Sequence, residues 1–157
     1  MHMIFTLAWW FKKKFESAAI KNLKKKFNIP DSVEIFYPIV YVGNVTIGEN
    51  TYFMKYCELV TGSSSRIIIG ANCAIAKNVT IRALTHAKGL RVKRLSNLIE
   101  KDVIIGDNCW IGANVFIREG VVLGNDCIVG SNSVVTKSFP NKSIIGGVPA
   151  KLIGLNE

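Results

Sequence analysis

Histidine, paired cysteine and long apolar runs are scarce in this chain of 157 residues, and each scarcity excludes a class of protein. Only His2 and His86 are histidines, too few for a metal site built on several of them, so no metal is expected. The four cysteines show no Cys-x-x-Cys spacing, which argues against a zinc knuckle and a disulfide framework. The apolar run from Met3 to Phe11 is shorter than the roughly 20 residues that span a bilayer.

Positive charge, by contrast, is abundant and unevenly distributed. Lys and Arg number 20 against 11 Asp and Glu, which leaves a formal net charge of +9. Residues 1–31 and residues 82–101 each contribute +5. Such a balance favours an anionic partner. Single-strand binders interleave basic residues with aromatics that stack on bases, and the second cluster contains no Phe, Tyr or Trp, so no nucleic-acid partner is expected.

Residues 1–31 are predicted to form an N-terminal amphipathic helix with its terminating turn. Apolar residues recur there at three- and four-residue steps, namely Ile4, Leu7, Phe11, Phe15, Ala18, Ala19, Leu23 and Phe27. Seven lysines fill positions between them, and Pro30 blocks continuation of the helix. The basic residues follow the apolar stretch, which is the reverse of a secretory signal peptide. Two roles remain open: the helix caps an open core, or it lies on anionic lipid with the help of Trp9 and Trp10.

From about residue 32 onwards, the chain repeats with a period of six residues. Large apolar side chains stand six apart in three series: Ile35, Tyr41, Ile47, Phe53 and Leu59; Ile69, Ile75 and Ile81; and Ile105, Ile111, Ile117, Leu123, Val129 and Val135. A period of six matches neither the 3.6 residues of a helix nor the alternation of a long strand. It is the signature of a parallel β-helix built from short strands and turns.

The turns of this repeat are also marked in the sequence. Five repeats carry Gly-x-Asn: Gly48–Asn50, Gly70–Asn72, Gly106–Asn108, Gly112–Asn114 and Gly130–Asn132. Both Gly and Asn tolerate the left-handed backbone conformation, so either residue could make the turn. Three six-residue sides make a triangular coil of 18 residues, and the chain length predicts about five coils.

Two departures from the period locate an excursion and explain the cysteines. Ile69 and Ile105 are 36 residues apart, room for one coil and an excursion of 18 residues. The excursion is predicted to be the basic, pattern-free loop at about residues 83–102. Cys73, Cys109 and Cys127 are separated by multiples of 18 residues, and therefore occupy one inward position in stacked coils. Free Cys behaves there as a small apolar residue, so we interpret them as packing residues.

Four features together resemble the hexapeptide-repeat acyltransferases, over roughly residues 32–154. They are the six-residue repeat, His86 beside a protruding loop, the sequence Asn-Cys-Trp-Ile-Gly at 108–112, and the ending formed by 133–137 and 147–151. The branch that the chain resembles most is that of the sugar O-acetyltransferases similar to maltose and galactoside acetyltransferase.

The resemblance implies an all-β fold for residues 32–157: a left-handed parallel β-helix of about five triangular coils behind the N-terminal α-helix. It further implies a homotrimer in which acetyl-CoA, the acyl donor, binds between neighbouring chains. The left-handed winding is an exception to the usual crossover rule.

His86 is the predicted general base. Transfer of an acetyl group from a thioester to a hydroxyl needs a group that takes the hydroxyl proton, and histidine titrates close enough to neutral pH to do so. His86 follows the core position Ile81 by five residues, where the chain leaves the β-helix. The resemblance places it in the family's catalytic position.

The resemblance also suggests the residues that bind the two substrates. Those predicted to line the CoA groove are Ala113, Ser131, Thr136, Lys137 and Lys151. Trp110 is predicted to wall the channel beside the acceptor. The amide or carboxylate that orients the acceptor in the sugar enzymes has no clear counterpart at residues 54–56, and Glu58 is the predicted substitute.

The sequence therefore favours an acetyl-CoA-dependent O-acetyltransferase acting on a sugar hydroxyl of a cell-surface polysaccharide or its lipid-linked precursor. The expected location is the cytoplasm, at the inner face of the membrane, because the basic N-terminal helix suits anionic lipid. One alternative is an N-acetyltransferase that acts on an amino sugar nucleotide. A second alternative, of another class, is a non-catalytic β-helical scaffold.

Overall fold

The computed structural model describes residues 2–87 and 97–157, in which one helix precedes a triangular parallel β-helix. Helix α1 spans His2–Phe27. Its last turns cover the open N-terminal end of the core, because Ile20, Leu23 and Phe27 pack against buried residues there. Phe15 was expected on the same apolar face, yet 65% of it is exposed. Within the described residues, no helical stretch combines the length and apolar character that crossing a bilayer requires.

The strands are short and follow one another around the coils. The first coil has β1 (Glu34–Ile35), β2 (Ile39–Val42) and β3 (Asn44–Ile47), and the second has β4 (Tyr52–Phe53), β5 (Cys57–Val60) and β6 (Arg66–Ile69). The third has β7 (Ala74–Ile75), β8 (Thr80–Arg82), an inserted hairpin of β9 (Leu84–His86) and β10 (Leu98–Glu100), and β11 (Val103–Ile105). The fourth has β12 (Trp110–Ile111), β13 (Phe116–Ile117) and β14 (Val122–Leu123). β15 (Ile128–Val129), β16 (Val134–Val135), β17 (Ser143–Gly146) and β18 (Lys151–Leu155) follow.

Stacking of the coils produces three flat faces. The first face orders β1-β4-β7-β12-β15-β17-β18, the second β2-β5-β8-β13-β16, and the third β3-β6-β11-β14. All neighbours are parallel except β17 and β18. Four coils are complete, and a fifth completes its third side only through the bridge between Leu123 and Phe139, slightly fewer than the five expected. Ile69 pairs directly with Ile105, which confirms that the step of 36 residues between them holds one coil and an excursion.

The core consists of the inward side chains that the six-residue period predicts. Ile69, Ile75, Ile81 and their counterparts in later coils are buried almost completely. All four cysteines are free and buried, as expected of packing residues. Burial raises the pKa of the Cys57 thiol, which therefore stays neutral.

Gly and Asn have different roles in the turns. In the Gly-x-Asn repeats the left-handed residue is the asparagine, for example Asn72 (φ 57°) and Asn114 (φ 59°), whereas Gly70 and Gly112 do not have positive φ. Glycine is needed for a different reason: a Cβ on Gly70 would lie 2.3 Å from the Asp107 side chain and 2.7 Å from its backbone nitrogen in the next coil. Close stacking of coils therefore selects the glycine, and backbone conformation selects the asparagine.

Candidate active site

His86 ends the first strand of the inserted hairpin. The hairpin pairs β9 with β10 in antiparallel register, and His86 lies opposite Leu98. Its root is fixed to the β-helix because the buried Ala83 donates its amide to Val60 O at 2.9 Å and accepts from Lys101 N at 3.0 Å. Residues 83–102 were expected to lack a pattern, and their two ends instead form these strands. The loop's lysines and arginines at 88–94 lie outside the described residues.

A carboxylate anchors the second strand of the hairpin to the preceding coil. Glu100 Oε2 accepts hydrogen bonds from the backbone nitrogen and from Oγ of Ser64, both at 2.7 Å. These bonds hold the pKa of Glu100 below its usual range. Gly62 leaves the room for this contact, since a Cβ there would lie 2.1 Å from the Glu100 carboxyl carbon. The hairpin that carries His86 is therefore held at both of its ends.

An open groove of about 580 Å³ lies beside His86, between the hairpin and the second face. Its lining residues are Glu58, Thr80, Arg82, Leu84, Thr85, His86, Phe116, Arg118 and Glu119. Glu58, Thr80 and Phe116 form one column of outward side chains, because Glu58 pairs with Thr80 and Thr80 with Phe116. Glu58, predicted from the sequence to orient an acceptor, thus lies on the same groove as the predicted base.

Two guanidinium–carboxylate pairs give this groove its polar character. Arg82 donates to Glu58 Oε1 across neighbouring coils. Arg118 donates through Nε to Glu119 Oε1 at 3.1 Å and through a terminal nitrogen to the same oxygen. That hydrogen bond and the charge of Glu119 raise the pKa of Arg118, so the guanidinium remains charged.

The predicted CoA residues occupy two different corners of the triangle. Ala113 and Ser131 lie together between the first and second faces, where Ala113 N donates to Ser131 Oγ at 3.2 Å. Lys151 begins the strand that pairs with Gly146, beside this corner. Thr136 and Lys137 lie between the second and third faces, the corner from which the hairpin leaves. None of these residues lines the described part of the His86 groove.

Trp110 is likewise separate from His86 within one chain. It lies on the first face, between Ala74 and Ile128 of the adjoining coils, and 56% of it is exposed. A contact between Trp110 and an acceptor held at His86 of the same chain has no support in this placement. The role of Trp110 stays a prediction.

Arg118, Glu119 and Ser64 were not singled out from the sequence, and Arg82 and Glu100 entered only the count of charges. A signal for two of them was present. Arg82 and Arg118 each follow a core isoleucine, Ile81 and Ile117, which pair in register. In a β-helix two residues at one repeat position share one column, so the two arginines had to be neighbours. Glu100 gave no such signal, because its partner Ser64 belongs to a turn outside the period.

The chain is similar in sequence and in structure to known acetyltransferases. The family model described as bacterial transferase hexapeptide (six repeats) matches residues 102–137. The galactoside O-acetyltransferase of Escherichia coli strain K12 is 33% identical over 113 residues, which are 72% of this chain and 55% of that protein. The chain thus spans little more than half the length of that relative.

Two further matches cover a larger share of the matched protein. A probable macrolide acetyltransferase of Lysinibacillus sphaericus is 35% identical over 138 residues, covering 85% of this chain and 70% of that protein. A solved structure of galactoside acetyltransferase in complex with coenzyme A superposes with a TM-score of 0.71 at 30% identity, covering 80% of this chain and 64% of that one. With its left-handed β-helix and its repeat, the chain belongs to the hexapeptide-repeat acetyltransferase family.

Proposed function

We propose that the protein is an acetyl-CoA-dependent O-acetyltransferase that acetylates a sugar hydroxyl, with His86 as the general base. The observation that carries the proposal is the exposed His86 at the rim of a polar groove, held there by a hairpin anchored on both sides. An imidazole in that position has access to an acceptor hydroxyl lying in the groove. The family relatives whose names include O-acetyltransferase support the same reaction.

The reaction balances with His86 as the only base. The neutral imidazole accepts the proton of the acceptor hydroxyl while the oxygen attacks the thioester carbonyl carbon. The carbon–sulfur bond then breaks, and the proton passes from the imidazolium to the departing thiolate. The products are the O-acetyl sugar and free CoA, and the histidine is restored.

The binding of CoA is assigned to Ala113, Ser131, Thr136, Lys137 and Lys151. The exposed ammonium groups of Lys137 and Lys151 fit a ligand that carries several phosphates, as point charges. A galactoside acetyltransferase of the same fold binds coenzyme A, which supports the assignment. Because these residues divide between two corners of one chain, a single CoA touching all of them requires a neighbouring chain, as in the proposed homotrimer.

Light scattering at micromolar concentration tests the shared site, with a trimer as the expected result. An exposed apolar series on and beside the first face, including Tyr52, Trp110 and Leu152, provides a surface for such packing. A monomer that still binds CoA would contradict the shared site.

The acceptor is proposed to be a cell-surface polysaccharide or its lipid-linked precursor, reached from the cytoplasmic face of the membrane. Support comes from α1, where Lys12, Lys13 and Lys14 are exposed beside the half-exposed Trp10 and the exposed Phe15. Among the side chains of α1 that the structure describes, those that pack on the core lie in its last turns, so capping and lipid contact are compatible.

Vesicle sedimentation tests the lipid contact. Anionic vesicles should retain the protein at low salt better than neutral ones, because each lysine near the surface contributes about 1 kcal/mol and salt screens the attraction. The triple variant with Glu at positions 12–14 should lose the preference. Equal sedimentation of the unaltered protein with both vesicle types would leave capping as the only role of α1.

A screen for thiol release tests the reaction itself. Purified protein with acetyl-CoA is offered a panel of hydroxyl sugars and the matching amino sugars, and the acetylated product is identified by mass spectrometry. Acceptor-dependent release with an O-acetyl product is expected. Preference for the amine would indicate the N-acetyltransferase alternative, and no CoA binding would indicate the scaffold.

A further inference from the structure

The His86 groove presents two arginines side by side. Arg82 and Arg118 follow Ile81 and Ile117, which pair in register, so the two guanidinium groups come from adjacent coils. Their side chains remain 45% and 46% exposed, and both line the groove. Two neighbouring guanidinium groups next to a general base are suited to an acceptor that carries negative charge.

Arg118 differs from Arg82 in where its carboxylate partner lies. The Glu119 side chain is only 5% exposed, whereas that of Glu58 is 33% exposed. Glu119 therefore holds the guanidinium from a nearly buried position, and almost half of the Arg118 side chain stays exposed to solvent. Glu58, in contrast, presents its own negative charge to the groove beside Arg82.

The fixed guanidinium keeps donors for a ligand. Arg118 uses Nε and one terminal nitrogen for a single oxygen of Glu119, while a guanidinium has five N–H donors in a rigid fork. Holding the fork in place before binding reduces the conformational entropy that the complex must lose.

We propose that the acceptor is an anionic sugar whose carboxylate or phosphate binds Arg118, with Arg82 beside it, so that one hydroxyl lies at His86. The proposal rests on the proposed function and specifies its substrate class. Glu119 is a positioning residue that orients Arg118. The overall surplus of +9 favours the approach of such an acceptor to the protein.

The test compares matched acceptors: glucose, glucuronate and glucose 6-phosphate. The ratio of kcat/KM for an anionic sugar to that for glucose should exceed one. In Arg118→Gln this ratio should fall about 10- to 100-fold, the effect of losing a charge-assisted hydrogen bond, mainly through KM. Arg82→Gln should lower it less. A preference for glucuronate over the phosphate identifies the carboxylate as the ligand, and the reverse identifies the phosphate.

Arg66→Gln is the matched control. Arg66 also pairs with a carboxylate, donating through Nε to Asp102 Oδ2 at 3.0 Å, but it lies on the third face and does not line the groove. This variant should keep the ratio of the unaltered enzyme. Arg118→Lys should restore part of the ratio, because it keeps the charge and loses the fork.

Removing Arg118 alone takes its guanidinium partner away from the buried Glu119, so the double variant Arg118→Gln/Glu119→Gln is measured alongside, with its Tm. Equal kcat/KM for neutral and anionic sugars in the unaltered enzyme would overturn the proposal. An equal loss of kcat/KM for neutral and anionic sugars in a folded double variant would also overturn it, because Arg118 and Glu119 would then have a structural role only. Calorimetry measures whether glucuronate and glucose 6-phosphate bind at Arg118 even where no sugar is acetylated. A failure of the anion-site proposal can therefore be told apart from a failure of the proposed function.

Discussion

The corners of the triangle are built in two different ways. Between the first and second faces, Asn78 donates to Asn114 and Asn114 to Asn132, each at 2.9 Å, so one side chain repeats its bond from coil to coil. A similar ladder joins Asn50, Asn72 and Asn108 between the third and first faces. Between the second and third faces, the connection grows from residue 43 alone to residues 61–65 and then to the hairpin.

The difference shows where this fold can vary. A corner in which each side chain bonds to its counterpart propagates a single geometry, and any inserted residue would break the ladder. The second-to-third corner has no such ladder among the described residues, and there the chain carries its insertions, His86 and Arg118. Repetition stabilises two corners, and the third accommodates the hairpin and the residues proposed to take part in catalysis.

Replacing His86 should produce the largest effect on activity and none on the fold. His86→Ala should lower kcat by about 10²–10⁴-fold, the usual contribution of a positioned base. CoA affinity and Tm should change little, because the exposed imidazole lies outside the aliphatic core. Steady-state kinetics, CoA titration and thermal melting measure the three quantities.

His86→Asn serves as the polar control, since its amide does not accept a proton at neutral pH. Near-normal turnover of either variant with a confirmed acceptor would end the general-base proposal. Joint loss of CoA binding and folding would instead make His86 structural.

Replacing a ladder asparagine should have the opposite profile. Asn114→Ala removes two ladder bonds and puts alanine, which tolerates the left-handed conformation less well than asparagine, at φ 59°. The two changes together should lower the unfolding free energy by about 1–3 kcal/mol. Asn114→Gly keeps the backbone conformation and loses only the bonds, so it should cost less. Denaturant unfolding measures both. An equal loss in the two variants would show that the ladder, and not the conformation, sets the stability of this corner.

Loosening the hairpin anchor should give the smallest effect. Glu100→Gln weakens the bonds from Ser64, and kcat/KM should fall about two- to tenfold, the range of one hydrogen bond. The folded-state pKa of Glu100 is lowered, so the anchor stabilises the fold above the pKa of an unfolded glutamate, about 4.3, and is lost as pH falls further. A melting series from pH 6 to pH 3 should therefore show a smaller acid decrease in Glu100→Gln; an identical decrease would contradict the anchor.

Most of the fold was predictable, because the same six-residue pattern of apolar and turn residues recurs in every coil of the β-helix. The inward positions such as Ile75 and Ile111 follow from the six-residue period alone, and so does the shared column of the cysteines. The choice between Gly and Asn at the turns was not predictable, since the sequence shows that both tolerate positive φ. Only the distance of Gly70 from the next coil separates their roles.

The candidate site was predictable only in part. His86 and Glu58 are identified by motif and resemblance, and the structure brings them to one groove. The hairpin strands escaped prediction because their pairing spans eleven residues between His86 and Leu98 and lies outside the period.

By itself, the sequence determined the architecture, the identity of the core and the place where the chain leaves the β-helix. These depend on local periodicity, because with a repeat of six residues the same positions point inward, and the same positions outward, in every coil. Tertiary structure alone decided which partner each charged residue takes. Arg118 and Arg82 hold the same position in the repeat, yet the carboxylate partner of Arg118, Glu119, is buried, and that of Arg82, Glu58, is partly exposed. Burial depends on how neighbouring coils and the hairpin cover a side chain, and that is a property of the assembled fold.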